Sequence, residues 1–255
     1  MEISDATIQA GLTNQKLHLR LTGPTPMPDM ALLALRSIVL GVVLLGASCS
    51  RPPPVVGIDN PDIPARSVVN AIHHKVFVAT TREDSEVVGA LFSELRAAEL
   101  GLAAVTVSVP PQHKVGALER PQSIPPNPRK EFAVIEPTIF ESKGGFVAAL
   151  NHELRQRRAG DRDILFFVHG YNTTTSEAIL RVGQFVEDSG FKGVPVLFTW
   201  ASAGKFSRYV YDLNSALVAR PQLLEATQII SQSIASEYHI FAHSMGGFSD
   251  DGGHS

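Results

Sequence analysis

The stretch YHIFAHSMGG, residues 238–247, decides how this chain is expected to fold. It begins with the apolar composition of a strand and runs directly into Ser244, Met245 and two glycines. A strand that leads into Ser-x-Gly-Gly is typical of a nucleophile elbow, a sharp turn that presents a serine between a strand and a helix. Gly246 and Gly247 suit such a turn because a residue without Cβ does not collide with the neighbouring strand. The stretch therefore makes Ser244 the candidate nucleophile.

Apolar runs alternate with amphipathic helices ahead of this stretch. Residues 164–168 and 194–200 are apolar on both faces, as in strands buried inside a parallel sheet. The helix between them is predicted to be capped by the threonines at 173–175 and to end at Gly190, and Pro221 suits the first turn of the next helix. This alternation predicts an α/β fold with a mainly parallel sheet and helices on both faces.

The part of the chain before residue 164 is less regular. Its composition predicts strands over 75–80, 103–109 and 132–136, and a helix over 145–157. Residues 87–98 have apolar side chains at helical intervals, which favours a helix, although a long loop fits equally well. Several prolines and the lack of any period predict an irregular surface excursion over 112–130.

Composition excludes several classes of function. A chain of 255 residues with 44% hydrophobic side chains is long enough for one domain with a sizeable core. The net charge of -3 offers no basic surface for nucleic acid. The single cysteine, Cys49, excludes an intramolecular disulfide framework. No Cys/His cluster has zinc spacing, so no metal or organic cofactor is expected, and His73 and His74 are interpreted as surface or rim residues.

The amino-terminal region resembles a secretory signal. The apolar run that ends at Ser48 is shorter than the ~20 residues that span a bilayer. Small residues at 46–48 directly before Cys49 resemble a bacterial lipobox, which predicts lipidation of Cys49 and a place in the cell envelope, lipid-anchored at the membrane or periplasmic. An ordinary signal peptide, an uncleaved anchor and a buried helix remain the alternatives.

This interpretation divides the chain into segments. Residues 1–29 are predicted to be a mis-called or disordered extension, with translation starting at Met27 or Met30. Residues 30–48 form the signal peptide and residues 49–67, rich in proline, a lipidated tether. The folded domain is predicted over residues 68–255.

Three motifs in this order resemble the α/β-hydrolases. They are FVHGYN at 167–172, the tryptophan-containing strand at 198–204, and AHSMG at 242–246. More narrowly, the chain is similar to a bacterial esterase/lipase-like family of uncharacterised hydrolases, many of them lipoproteins, and residues 77–82 and 109–113 extend the likeness. The resemblance covers about residues 70 to 247, and the combination of motifs is far more specific than Ser-x-Gly alone.

The resemblance implies a serine hydrolase that acts on a small-molecule ester, amide or other acyl substrate. Ser244 is then the nucleophile, and the backbone amides of Tyr171 and Met245 form the oxyanion hole. His169, Gly170 and Gly246 are implied to support the two turns. The neighbouring His243 is expected to pack away from the site. Trp200, Tyr211 and Asp212 are candidates to line the mouth of the site, although an ordinary core tryptophan and a solvated aspartate fit at least as well.

The acid and the base of such a triad have no clear place in this sequence. The family order is serine, acid, histidine, with the last two on loops after later strands. The tail at 248–255 holds Asp250, Asp251 and His254, but the helix expected after the elbow carries them away from Ser244. The sequence therefore predicts an α/β-hydrolase domain truncated at its carboxyl end, which a frame change in the gene explains.

The expected consequences are no activity on esters and poor solubility, because residues 238–242 then form an open apolar edge. A non-catalytic α/β domain that binds an acyl ligand or an envelope partner, and a decayed gene product, are the competing hypotheses.

Overall fold

The structure, a computed structural model, describes residues 52–243. Its strands are β1 (Ile72–Asp84), β2 (Phe92–Val109), β3 (Ala133–Ile139), β4 (Ile164–Val168), β5 (Val194–Thr199) and β6 (Tyr238–Ala242). They form one six-stranded sheet in the order β3-β2-β1-β5-β4-β6. Strands β1, β5, β4 and β6 are parallel to one another, whereas β2 is antiparallel to both β1 and β3. The predicted α/β fold with a mainly parallel sheet is confirmed.

Helices cover both faces of this sheet, as predicted. They are α1 (Lys143–Arg155), α2 (Thr175–Ser189), α3 (Tyr209–Val218) and α4 (Arg220–Ile230). The predicted ends of α2 are confirmed, because the Thr174 side chain accepts a hydrogen bond from the Glu177 amide and Gly190 closes the helix at a φ of 65°. Pro221 lies in the first turn of α4, where a missing amide hydrogen costs nothing.

The hydrophobic core lies on the two faces of the sheet. On one face, Ile179 and Val182 of α2 pack against the valines of β1 and β2. On the other, Phe146 and Leu150 of α1 meet Phe77 and Phe198, together with residues of α4. Helix α2 lies so close to β2 that a Cβ at Gly183 would overlap the Val107 side chain. Both faces are therefore closed, and function is left to the edges of the sheet.

The helix predicted over residues 87–98 is wrong, and so is the alternative of a long loop. Residues 85–91 form the turn of a hairpin, and β2 begins at Phe92 and pairs with β1. The pairing is irregular between Thr80 and Asp84, so burial along this stretch does not alternate with a period of two. The apolar residues at helical intervals match this uneven burial. Packing against β1 overrides their local preference for a helix.

The tether predicted over 49–67 is wrong for its described part. Val55 and Val56 are buried in the core at 1% and 5% exposure, and Val56 bridges to Val134 of β3. A 3-10 turn at Ala65–Ser67 follows. The folded domain thus begins before residue 68. Residues 1–51, with the predicted extension, signal peptide and Cys49, lie outside the described residues. None of the helices in residues 52–243 is long and apolar enough to cross a bilayer.

Strand β6 lies at one end of the described sheet. It pairs with β4 on one side only, and Ile240 is 72% exposed. An apolar side chain on an outer strand favours association between chains. The poor solubility expected from the sequence stays a prediction.

The irregular excursion predicted over 112–130 is confirmed, and a histidine fixes it to the rest of the fold. His113 Nδ1 lies 2.7 Å from Glu119 Oε2, and His113 Nε2 lies 2.8 Å from Asp188 Oδ1 at the end of α2. Its ring also packs edge-on against Phe132. One imidazole therefore joins the loop to a helix through two carboxylates.

We expect the His113→Gln variant to lose about 1–2 kcal/mol of stability near pH 6 and much less near pH 9. Burial lowers the pKa of His113, but its hydrogen bonds with Glu119 and Asp188 outweigh burial, so the pKa lies above the ordinary 6.5. A raised histidine pKa contributes stability below pH 6.5, and that stability is lost as the pH rises through the folded-state pKa. Urea unfolding followed by the fluorescence of the sole tryptophan, Trp200, measures the effect.

The carboxylates set the acidic limit of the same cluster. Burial raises the pKa of Glu119, but the hydrogen bond with His113 outweighs burial, so the pKa lies below its ordinary value. The stability that ionised Glu119 contributes is therefore present above the ordinary pKa of 4.5, and it is lost as the pH falls through the lower pKa of the folded state. The matched control is His152→Gln on the exposed side of α1, which should leave the pH dependence unchanged. Equal curves for the His113→Gln variant and the wild type would contradict this account.

Candidate active site

The two predicted turns follow neighbouring strands at one edge of the sheet. Val168 at the end of β4 pairs with Ala242 at the end of β6, and the His243 amide donates to the Val168 carbonyl at 2.9 Å. The turn that begins at His169 and the chain that enters Ser244 therefore leave the sheet side by side. Ser244, Met245 and Gly246 themselves lie outside the described residues.

His169 supports the turn from inside the protein. Its Nδ1 lies 2.7 Å from the Gly170 carbonyl, its Nε2 lies 2.9 Å from Thr199 Oγ1, and its ring stacks on Trp200. Burial, reinforced by the nearby Arg82 cation, lowers the pKa of His169 to about 3. The imidazole is therefore neutral. Because a carbonyl can only accept, Nδ1 carries the proton and Nε2 accepts from the Thr199 hydroxyl.

The next residues present a backbone amide at this edge. Asn172 has a φ of 57°, the left-handed region, and its amide donates to Asp212 Oδ2 at 3.1 Å. The Thr173 amide donates to Ser202 Oγ at 3.0 Å. Within residues 52–243, by contrast, no acceptor is in place for the Tyr171 amide. The turn thus fixes the amides of the two residues that follow Tyr171 and leaves the Tyr171 amide for another oxygen.

Asp212 holds this turn, and the interpretation as a solvated aspartate is wrong. Its side chain is 0% exposed at the first turn of α3. Besides Asn172, its carboxylate accepts from the Ala203 amide at 2.7 Å and from the Ser202 hydroxyl. Hydrogen bonds to a charged carboxylate are stronger than those between neutral groups. Asp212 therefore ties the turn after β4 to the loop after β5.

A buried arginine completes this support. Arg82 is 2% exposed at the end of β1. Its Nε donates to Thr199 Oγ1 at 3.0 Å, its Nη1 to the carbonyls of Ser93 and Ser202, and its Nη2 to the Thr173 carbonyl at 2.8 Å. The guanidinium so joins four chain segments. No sequence signal marks these acceptors, because three of them are main-chain carbonyls.

The order of donors can be followed from Arg82 to the turn. Arg82 Nε donates to the Thr199 hydroxyl, which donates to His169, which donates to the Gly170 carbonyl. The Trp200 indole donates to the His169 carbonyl at 3.0 Å. Trp200 is 4% exposed, so it is a core residue and also a support of the turn. The role of His169 and Gly170 as supporting residues of an active site stays a prediction.

Other titratable residues lie away from this edge. His73 and His74 are at the start of β1, where both are partly buried, and His74 Nε2 lies 2.8 Å from Glu187 Oε2. Asp163, Glu237 and His239 place one ligand atom each within 4.8 Å of one another. They lie at the amino ends of β4 and β6, the opposite edge of the sheet. Neither group contributes to the candidate active site.

Comparison with known proteins agrees with the fold. Residues 144–249 match the model of a family described as an alpha/beta hydrolase of unknown function (DUF900). The match extends from the start of α1 across β4, β5 and β6 into the elbow sequence. No curated protein and no solved structure matches the chain. Over these residues the chain is thus similar to a family of α/β hydrolases whose function is unknown, and its sheet topology is consistent with a partial α/β-hydrolase fold.

Proposed function

We propose that this domain is a serine hydrolase that cleaves an ester or amide bond of a small acyl substrate, with Ser244 as the nucleophile. The observation that supports it best is the turn after β4, which leaves the Tyr171 amide without an acceptor in the described residues. This amide follows the strand next to the one that leads into Ser244. In the same proposal, Cys49 is lipidated and anchors the protein at the cell envelope.

The chemistry requires negative charge to be stabilised at this edge. Ser244 Oγ attacks the carbonyl carbon and loses its proton to a base, and the carbonyl oxygen becomes an oxyanion. The amides of Tyr171 and Met245 donate to that oxyanion. When the tetrahedral intermediate collapses, the bond to the leaving group breaks and the base returns the proton to it. Water then loses a proton to the base and attacks the acyl carbon, the bond to Ser244 Oγ breaks, and the proton returns to Ser244 Oγ as the acid product leaves.

The base does not come from His169. Both of its ring nitrogens are engaged inside the turn, and a pKa of about 3 makes it a poor proton acceptor at neutral pH. We propose that the acid and the base belong to residues outside 52–243. We therefore expect an external base to accelerate the acylation of Ser244.

Acylation of Ser244 by p-nitrophenyl acetate, with imidazole added as an external base, tests the proposal. We expect mass spectrometry to find an acetyl group on the peptide that contains Ser244, and imidazole to increase its amount. The Ser244→Ala variant should lose this adduct, whereas the matched Ser249→Ala variant should keep it. Acetylation of the Ser244→Ala variant at the wild-type level would overturn the proposal, and ligand binding without any adduct would favour a non-catalytic acyl-binding domain.

A further inference from the structure

The exposed side of α3 is apolar. Val210, Leu213 and Leu217 are 69%, 40% and 46% exposed, and Tyr209 and Val218 are about half exposed. The buried residues of this helix are the polar Asp212 and Ser215. A surface helix normally has the opposite arrangement, with its polar side toward water. Helix α3 is thus inverted, because Asp212 supports the turn after β4, Ser215 accepts a hydrogen bond from Arg96 of β2, and the apolar side chains face outward.

These apolar side chains form one continuous surface. Tyr209, Leu213 and Leu217 are spaced by four residues and so lie in one row along the helix. Phe206, in the 3-10 turn just before α3, is 84% exposed. The rings of Phe206 and Tyr209 both contact the ring of Tyr171. We call this surface the α3 face; its members are Phe206, Tyr209, Val210, Leu213, Leu217 and Val218.

Positive charges lie at both ends of the α3 face. Lys205, Arg208 and Arg220 are exposed at its ends. The one acidic residue between 205 and 220 is Asp212, which is buried. Glu94 of β2 meets the helix through its main-chain carbonyl, which accepts from the Tyr211 hydroxyl. This local charge contrasts with the net charge of -3 of the whole chain. Exposed apolar patches of this kind mark interaction sites, and its basic border fits a negatively charged partner.

We propose that the α3 face docks on an anionic lipid bilayer. Aromatic and aliphatic side chains beside lysine and arginine are the combination that binds the interface between headgroups and acyl chains. Helix α3 spans only Tyr209–Val218, so it lies in the plane of the interface and does not cross it. The apolar side chains enter the acyl boundary, and Lys205, Arg208 and Arg220 contact headgroup phosphates. A protein partner fits less well, because the basic residues lie only at the ends of an otherwise apolar row.

This docking is independent of the chemistry at Ser244 and of lipidation at Cys49. It would bring the Tyr171 turn to the membrane surface, since Tyr171 contacts both Phe206 and Tyr209. A substrate that resides in the bilayer would then reach the candidate site without crossing water. The experiment therefore measures insertion of the α3 face, and not hydrolysis.

An environment-sensitive fluorophore at position 206 tests the docking. The Cys49→Ser/Phe206→Cys chain carries one thiol for a nitrobenzoxadiazole label, and the matched control is Cys49→Ser/Val115→Cys, because Val115 is 82% exposed on the 110–132 loop. With vesicles of phosphatidylcholine and phosphatidylglycerol we expect the emission at 206 to rise several-fold and that at 115 to stay unchanged. Because both labelled variants contain the apolar 31–48 segment, a difference between positions 206 and 115 does not come from that segment.

Charge variants test the basic border. Each basic residue near an anionic bilayer contributes about fivefold to partition, so Lys205→Gln with Arg208→Gln should raise the lipid concentration for half-maximal change at 206 by about 20-fold. The control with Arg129→Gln and Lys130→Gln has the same net charge as the double variant at 205 and 208. It should leave the lipid concentration for half-maximal change at 206 unchanged. No change at 206 with anionic vesicles would overturn the proposal. So would a change that follows protein concentration without lipid, which indicates a second copy of the chain.

Discussion

The Arg82→Met variant is expected to lose about 3–5 kcal/mol of unfolding free energy, a large share of the stability of an ordinary domain. Methionine fills most of the volume but donates no hydrogen bond. The Ser202 carbonyl then remains buried, and the Ser93 and Thr173 carbonyls partly buried, without this donor. An acceptor left unsatisfied in a core costs about 1–3 kcal/mol, and removal of a buried cation offsets only part of that cost. Urea unfolding followed by Trp200 fluorescence measures the loss.

A surface arginine provides the matched control for Arg82. Arg66 pairs with Glu136 at 2.6 Å, but both side chains are about half exposed. The hydrogen bond with Arg66 lowers the pKa of Glu136 to about 2, yet solvent screening limits such a pair to less than about 1 kcal/mol. Arg66→Met should therefore unfold near the wild-type urea concentration. Similar losses for the two variants would contradict the role of Arg82 as a buried support.

The Asp212→Asn variant is expected to lose about 2–4 kcal/mol of stability and to release the turn after β4. Asparagine keeps the size of the side chain but has only one acceptor oxygen. Its NH2 group would face a donor that the second carboxylate oxygen now accepts from. The Asn172 and Ala203 amides and the Ser202 hydroxyl cannot all remain paired. Without its hydrogen bond to Asp212, the backbone of Asn172 is less stabilised at a φ of 57°. Hydrogen exchange of the peptide that covers residues 170–174 should become faster by at least tenfold.

Activity and a surface variant distinguish positioning by Asp212 from simple loss of stability. The imidazole-assisted acylation of Ser244 should fall in the Asp212→Asn variant at a temperature where the protein is still folded, because the Tyr171 amide has lost its fixed place. Asp62→Asn, at an exposed residue, should change neither exchange nor acylation. Unchanged exchange at 170–174 in the Asp212→Asn variant would show that the carboxylate does not hold the turn.

Local patterns predicted most of the elements that follow residue 140. The doubly apolar runs at 164–168 and 194–200, the caps of α2 and the proline at the start of α4 are confirmed within a residue or two. Each of them depends on hydrophobic periodicity or on a terminal residue with a fixed backbone preference. The hairpin at residues 85–91 was missed because strand irregularity between β1 and β2 imitates a helical pattern.

The support of the candidate site was less predictable than its motifs. The His-Gly turn was found from its residues, but Arg82 and Asp212 resemble ordinary surface charges in a sequence. Their burial is decided by acceptors and donors far away along the chain, such as Thr173 and Ser202 for Arg82. Similarly, the apolar outer side of α3 follows from Asp212, whose inward direction turns Val210 and Leu213 outward.

By itself, the sequence determined the α/β class, the order of strands and helices in the parallel half of the sheet except for α3, and the position of Ser244 after a strand. These depend on interactions between residues close in the chain, which composition and spacing reveal. Only the tertiary structure decided that residues 52–67 belong to the domain, that Arg82 and Asp212 are buried, and that the Tyr171 amide is left for another oxygen. The physical reason is that hydrogen bonds between distant segments are formed largely by main-chain groups, which every residue carries and no sequence pattern marks.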